Sequence, residues 1–258
     1  MTDTTTPENG VLTEQLGQVM RITMTAPGKK NAIDKDMYLG LADAFNAAAV
    51  NSEIRAVWLR GADNDFTSGN VVSGFDQTAK GDNPPVAAFL KALIEFPKPI
   101  VAEVEGVAIG IGATMLMHCD LIYVAEGARF RLPFVNLGLV PEAGASYVLP
   151  RLMGQAKAAE LLLLGRMFDA DEALRAGLIN QVLPAADLVA TVEATLKALC
   201  EQPPEAMRLT KAFLRRDLEG TLWDRVSNEL SDFAAGLDKD EFKEAYAAFT
   251  EKRKPVFK

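Results

Sequence analysis

Two stretches of the chain carry residues whose types and spacing could do chemistry. In the first, Ala108-Ile109-Gly110-Ile111-Gly112-Ala113 follows the apolar run Pro99-Ile100-Val101-Ala102-Glu103-Val104-Glu105 and precedes apolar residues at helical spacing. A strand that feeds a helix start leaves the first helical amides unpaired and partly positive, so they are free to hold an anion. In the second, one acid, Glu142, stands between Pro141 and the small residues Ala143 and Gly144, where a carboxylate can face a pocket without bulky neighbours. A plain structural reading competes at each place. Glycines such as Gly110 and Gly112 also serve close helix packing, and Pro141-Glu142 ahead of residues 145–152 is good first-turn helix chemistry.

Other chemistries are set aside by what the chain lacks. Its one histidine, His118, lies in Met115-Leu116-Met117-His118-Cys119 and reads as a buried helix residue, which removes most His-dependent triads and zinc sites. Gly106, Gly110 and Gly112 have the wrong spacing for a dinucleotide fingerprint, and Met115 stands where the third glycine would fall. There is no Gly-Lys-Ser/Thr phosphate loop and no Gly-x-Ser-x-Gly elbow. The two cysteines, Cys119 and Cys200, offer neither a metal spacing nor a disulfide framework and read as reduced thiols. What remains is chemistry run by backbone amides and a carboxylate, with no metal.

The elements that must position these groups follow from periodicity. Alternation over 17–26 predicts a half-exposed strand, Asp34 caps a helix carrying Leu41, Phe45 and Ala48, and 55–59 reads as a buried strand. Residues 62–84 are rich in Asp, Asn, Gly and Ser and too long for a simple connection, which suggests a functional loop. A short helix at 89–96, the strand at 99–105, a helix from 110, a strand at 121–124 and an extended piece at 129–132 follow. This is an α/β order with parallel pairing, in which ligands sit at the carboxyl ends of strands. Beyond Gly144 helical patterns dominate, at 155–164, 170–176, 185–199, 204–216, 222–235 and 241–251. The stripe Leu222, Val226, Leu230, Phe233 needs a cover, and a second subunit would serve. The expected division is a disordered tail at 1–10, a core at 11–198 and a C-terminal helical region at 199–258. A net charge of -8 disfavours nucleic acid, no apolar run is long enough to span a membrane, and the polar start lacks a signal peptide, so a cytoplasmic protein is expected.

Taken in order, several motifs resemble the crotonase superfamily, the enoyl-CoA hydratase/isomerase family. They are Lys29-Lys30-Asn31-Ala32-Ile33-Asp34, Phe66-Thr67-Ser68-Gly69-Asn70, the run from Gly106 to Ala113, Cys119-Asp120, and Leu137-Gly138-Leu139-Val140-Pro141-Glu142-Ala143-Gly144. Asp171 to Asn180 and the end from Glu251 to Phe257 add to them. The resemblance implies an α/β crotonase-like spiral of ββα turns with a C-terminal helical trimerisation region. It implies an acyl-CoA thioester as substrate, coenzyme A being part of that substrate rather than a separate cofactor, and a homotrimer or a hexamer built as a dimer of trimers. It also implies an oxyanion hole made by the amides of Asn70 and Ile111. Ser68, Gly69 and Gly110 would lie beside it, with Lys29, Lys30 and Ala32 near the CoA. The basic end, Lys252-Arg253-Lys254, would offer further phosphate contacts.

The departures from the family pattern bear on the reaction. The two glutamates that flank water in enoyl-CoA hydratases align here with Thr114 and Phe134, neither of which transfers a proton as a carboxylate does. Moving a double bond from the 3- to the 2-position needs one base. Glu142 matches the catalytic glutamate of the peroxisomal-type 3,2-enoyl-CoA isomerases, which the motifs here resemble most. An apolar setting of Phe134, Leu139 and Val140 would raise its pKa toward a value useful for shuttling a proton. A hydratase or a thioester hydrolase of the same fold, and a non-catalytic acyl-CoA-binding module, are the alternatives. Val71 replaces the family's usual Asp after the Ser-Gly-Asn turn, which puts the local loop geometry in question.

Overall fold

The computed structural model describes residues 10–71, 84–215, 222–237 and 239–257. The main sheet contains six strands in the order β1 (Gly10–Leu16), β2 (Val19–Thr25), β3 (Ala56–Gly61), β4 (Ile100–Val104), β6 (Leu121–Ala125), β9 (Gln181–Leu183). Only the β1–β2 hairpin is antiparallel; the other neighbours are parallel. A smaller sheet joins β5 (Val107–Ile109), β7 (Arg129–Arg131) and β8 (Met167–Asp169).

The two sheets are stitched together by a repeating step. After β4 the chain turns into β5, and after β6 it turns into β7. After β3 it makes an irregular version of the same move, in which Thr67 bridges Ala108 and Asn70 bridges Ile33. The small sheet is thereby prolonged through residues 67–70 to the end of the loop that follows β2. Each of these steps adds one segment to the smaller wall beside the main sheet.

Helices cover both faces of the main sheet. Helix α1 (Lys35–Val50) begins where the Asp34 side chain accepts from the Met37 amide at 2.9 Å, as a cap should, and buries Met37, Tyr38, Leu41, Phe45 and Ala48 along one stripe. Helix α2 (Pro84–Ile94) packs beside it through Phe89 and Leu93. On the opposite face α7 (Ala185–Cys200) covers Ala56, Trp58 and Val101 with Leu188, Val192 and Leu196. Burial on two faces explains why β3 and β4 read as unbroken apolar runs. Helix α8 (Pro204–Arg215) is fastened to the core by charge: the buried Lys211 ammonium reaches Asp120 at 2.7 Å, and Arg215 reaches the other oxygen of the same carboxylate.

Several boundaries differ from expectation. Gly10, grouped with the tail, begins β1, and 1–9 lie outside the described residues, as does most of the predicted loop, 72–83. The helix expected from residue 110 is one short turn, α3 (Ile111–Thr114), followed by a 3-10 turn, Met115–His118. Strands β8 and β9 were not anticipated, because three residues are too few to display alternation. The helices α4 (Ala145–Met153), α5 (Gln155–Leu164), α6 (Ala170–Arg175), α9 (Leu222–Leu237) and α10 (Asp240–Glu251) fall close to their predicted positions.

Candidate active site

Backbone register builds the first half of the site. Thr67 donates its amide to Val107 O (2.9 Å) and accepts from the Ile109 amide (3.1 Å), pinning residues 67–70 along β5. On the other side, Ile33 donates to Gly69 O (2.8 Å) and accepts from the Val71 amide (3.0 Å). In a parallel bridge one residue bonds to both neighbours of its partner, so the amide of Asn70 itself faces away from Ile33. A Cβ on Gly69 would lie 2.5 Å from Ile109 O and 3.9 Å from the Gly110 nitrogen, which shows how closely the two segments pass.

Glycine is required at Gly112 for a similar reason. A Cβ there would meet Thr67 Cγ2 at 2.6 Å and Thr67 O at 2.9 Å. Gly110 adopts φ 56°, and its amide is used by Arg131 O at 2.9 Å, so the first helical amide, that of Ile111, opens a helix with no earlier turn beneath it. Close packing at Gly69 and Gly112 thus holds residues 67–70 against β5 and the start of α3, the segments that carry the expected amide donors Asn70 and Ile111.

The Lys29-to-Ile33 loop is tied to the same wall. Buried Asn31 accepts from the Ala26 amide (3.0 Å) and donates to Ala62 O (2.8 Å) and Asp65 O (2.7 Å). Ser68 donates its amide to Lys30 O (2.8 Å) and its hydroxyl to Lys29 O (3.0 Å). The Lys29 and Lys30 side chains project at the exposed edge, Lys30 lying 3.7 Å from Asp65, and Ala32 is half-buried one strand away from Gly69.

A side chain held in an irregular turn forms the second half. Glu142 precedes Ala143 (φ 51°) and Gly144 (φ 74°), two successive left-handed residues, of which only the glycine adopts that region freely. The turn is held from beneath by His118, whose Nε2 lies 2.8 Å from Ala143 O; the carbonyl can only accept, so Nε2 carries the proton. Burial holds the His118 pKa below its usual value. The Thr114 hydroxyl donates to Glu142 Oε1, while Oε2 is buried with no hydrogen-bond partner among the described residues. Burial pushes the Glu142 pKa up to about 6, against the opposing pull of the Thr114 hydrogen bond.

The apolar setting of that carboxylate differs in part from expectation. Phe134 is buried, but Leu139 is 45% and Val140 82% exposed, so Val140 contributes nothing to the desolvation of Glu142 within this chain. Leu139 stays near Phe134 through its amide, which bonds to Phe134 O at 2.9 Å. In the basic end Arg253 is already engaged by Glu244 and Glu251, leaving Lys252 and Lys254 as its more exposed charges. Tyr38 was missed. It looks like one more apolar residue on the buried stripe of α1, yet its hydroxyl donates to Asn70 Oδ1, 32 residues on.

Strands alternating between a large and a small sheet, joined by repeated strand-to-strand turns and flanked by helices, describe the crotonase fold. The solved structures agree. A protein from Magnetospirillum magneticum AMB-1, described as an enoyl-CoA hydratase/carnithine racemase, superposes with a TM-score of 0.92 at 40% identity, over 95% of this chain and 97% of that one. Residues 14–258 match the family described as Enoyl-CoA hydratase/isomerase, and the chain belongs to that family. It is 36% identical over 215 residues to enoyl-CoA delta isomerase 2 of Rattus norvegicus, covering 81% of this chain and 55% of the rat protein. It is 32% identical over 238 residues to the peroxisomal enoyl-CoA delta isomerase 3 of Mus musculus, covering 90% and 75%. The chain thus spans about half the length of the rat relative.

Proposed function

We propose that the protein is an enoyl-CoA isomerase that shifts the double bond of a 3-enoyl-CoA to the 2-position. The observation that carries this reading is the state of Glu142: one carboxylate oxygen is anchored by Thr114 and the other is buried and unpartnered among the described residues. A base that must collect a proton at one carbon and return it at another needs one oxygen held and one free. The amides of Asn70 and Ile111 would receive the thioester oxygen, which makes the C2 proton acidic. Glu142 Oε2 takes that proton, the electron pair spreads into a dienolate whose charge rests on the thioester oxygen, and the protonated carboxyl delivers the proton to C4. Each amide aimed at the developing oxyanion is worth roughly 10²–10³ in rate.

The pKa of about 6 suits this cycle, being low enough for ionisation at neutral pH and high enough to make the carboxylate a stronger base toward the C2 proton than an ordinary carboxylate, the balance that general acid–base catalysis favours. No cofactor beyond the CoA of the substrate enters the scheme. Ser68, Gly69, Gly110, Thr114, Phe134 and Leu139 would line the acyl group, and Lys29, Lys30 and Ala32 would border the CoA. Hydration would need a second acid, and Thr114 and Phe134 occupy the positions where the family's hydratases carry theirs. Exposed Leu230 and Phe233 on α9, and Tyr246 and Phe249 on α10, support assembly into trimers or hexamers that would cover them. No described helix is long and apolar enough to cross a membrane.

The test is to offer purified protein 3-enoyl-CoA and 2-enoyl-CoA separately and identify the products. Conversion of the first to 2-enoyl-CoA is expected. Conversion of the second to a 3-hydroxyacyl-CoA, with no migration in the first, would replace this reading by hydration.

A further inference from the structure

The buried tyrosine of α1 has no part in the scheme above, yet it touches the donor half of the site. Tyr38 is 4% exposed, and its ring packs against Phe89 with centroids 5.7 Å apart. A phenylalanine would satisfy that packing equally well. The hydroxyl is the part that needs a reason, and it is spent on Asn70 Oδ1. Asn70 sits where residues 67–70 leave the bridge to Ile33, and beyond Val71 no described element continues the pairing. At that point an asparagine side chain is able to fold onto nearby backbone amides, its ordinary habit in turns. Fixing Oδ1 from the side of α1 removes that option. Burial and the charge of Glu142 both raise the Tyr38 pKa, so the hydroxyl stays protonated and the donor is permanent.

We infer that Tyr38 is a positioning residue, whose hydroxyl holds the Asn70 side chain so that the Asn70 backbone amide stays aimed at the thioester oxygen. The inference rests on the isomerase reading for its kinetic consequence but not for its binding consequence. Replacing Tyr38 by Phe keeps the ring and removes only the bond. Misaiming a preorganised group commonly costs up to about 10²-fold, so Tyr38→Phe should lower kcat about 10- to 100-fold with KM nearly unchanged. Asn70→Ala breaks the same bond from the other side and provides the second variant. If the pair acts as a unit, the double variant is no slower than the slower single one.

A spectroscopic arm separates this inference from the isomerase reading. A 3-ketoacyl-CoA bound at an oxyanion hole is drawn toward its enolate, which absorbs in the near ultraviolet, whereas a saturated acyl-CoA makes no such demand on the amides. Tyr38→Phe should weaken enolate binding about 10-fold while leaving binding of the saturated thioester unchanged. If the wild type fails to isomerise but the variant still shows this selective loss, the positioning role stands and the isomerase reading falls. If the wild type isomerises while Tyr38→Phe keeps full kcat and the full enolate band, the positioning role is wrong and the isomerase reading is untouched. Equal weakening of both ligands would also overturn it, because that pattern reports general loosening of the fold.

Discussion

The two halves of the site are built on different principles. Residues 67–70 and 107–111 are positioned by backbone register, through hydrogen bonds shared with β5 and with Ile33, and the oxyanion donors proposed there are main-chain amides. Residues 134–145 belong to no sheet, pass through left-handed Ala143 and Gly144, and depend on two side chains, Thr114 and His118, to hold them. A site assembled in this way can keep its anion hole while its acid–base group changes. The family name itself spans hydratases and isomerases. In this chain the register half carries the motif glycines, and the other half carries a single glutamate, Glu142.

The comparison predicts different kinds of damage. The largest effect should come from Glu142→Gln, which removes the only proposed base; a loss of roughly 10²–10⁴ in kcat is expected, with acyl-CoA binding retained by calorimetry. Survival of near-normal turnover would move the base elsewhere. Next is Gly69→Ala in the register half. Its Cβ would collide with Ile109 O in a left-handed conformation (φ 85°), so the strand must shift and with it the Asn70 amide. A loss of about 10²–10³ in kcat is expected, with the Glu142 pH limb where it was.

Thr114→Val should do the reverse, costing less and moving the limb. The base must be ionised, so kcat/KM should rise with pH through about 6 in the wild type. The Thr114 hydrogen bond favours the ionised form, and its removal therefore shifts that limb to higher pH, with a loss at neutral pH of roughly 3- to 10-fold. A limb that stays in place would show that the bond is idle.

The smallest effect is on stability and is opposite in sign. Glu142 is raised in the folded protein above its ordinary value, so its ionised form is disfavoured by folding once the pH exceeds that ordinary value. The penalty is absent at low pH, where both states are protonated, and complete above about pH 6. Glu142→Gln should accordingly raise Tm by roughly 4–8 °C at pH 7.5 and by little at pH 4, a penalty on the order of 2 kcal/mol. Equal shifts at both values would assign the effect to packing instead.

Legibility in the sequence followed the same division. The core strands could be read because burial on both faces leaves unbroken apolar runs, and the start of α1 because Asp34 is a strong cap. The glycines of the register half could be read as a cluster, since close backbone approach admits little else at Gly69 and Gly112. Tyr38 could not, because in a helix stripe an aromatic residue looks the same whether or not its hydroxyl has a distant partner. The exposure of Val140 was equally hidden: an apolar residue beside a proline carries no sign of which way it faces, and this one faces out. Strand β1 was obscured by the polar residues Thr13, Glu14 and Gln15 on an edge open to solvent.

The central claim, that one carboxylate carries a proton from C2 to C4, is tested most directly with 3-enoyl-CoA deuterated at C2. Early in the reaction, product analysis by NMR should find part of the label at C4 of the 2-enoyl-CoA. Product carrying only solvent hydrogen at C4 from the first turnover, or a hydroxyacyl product in its place, would contradict a single shuttling glutamate.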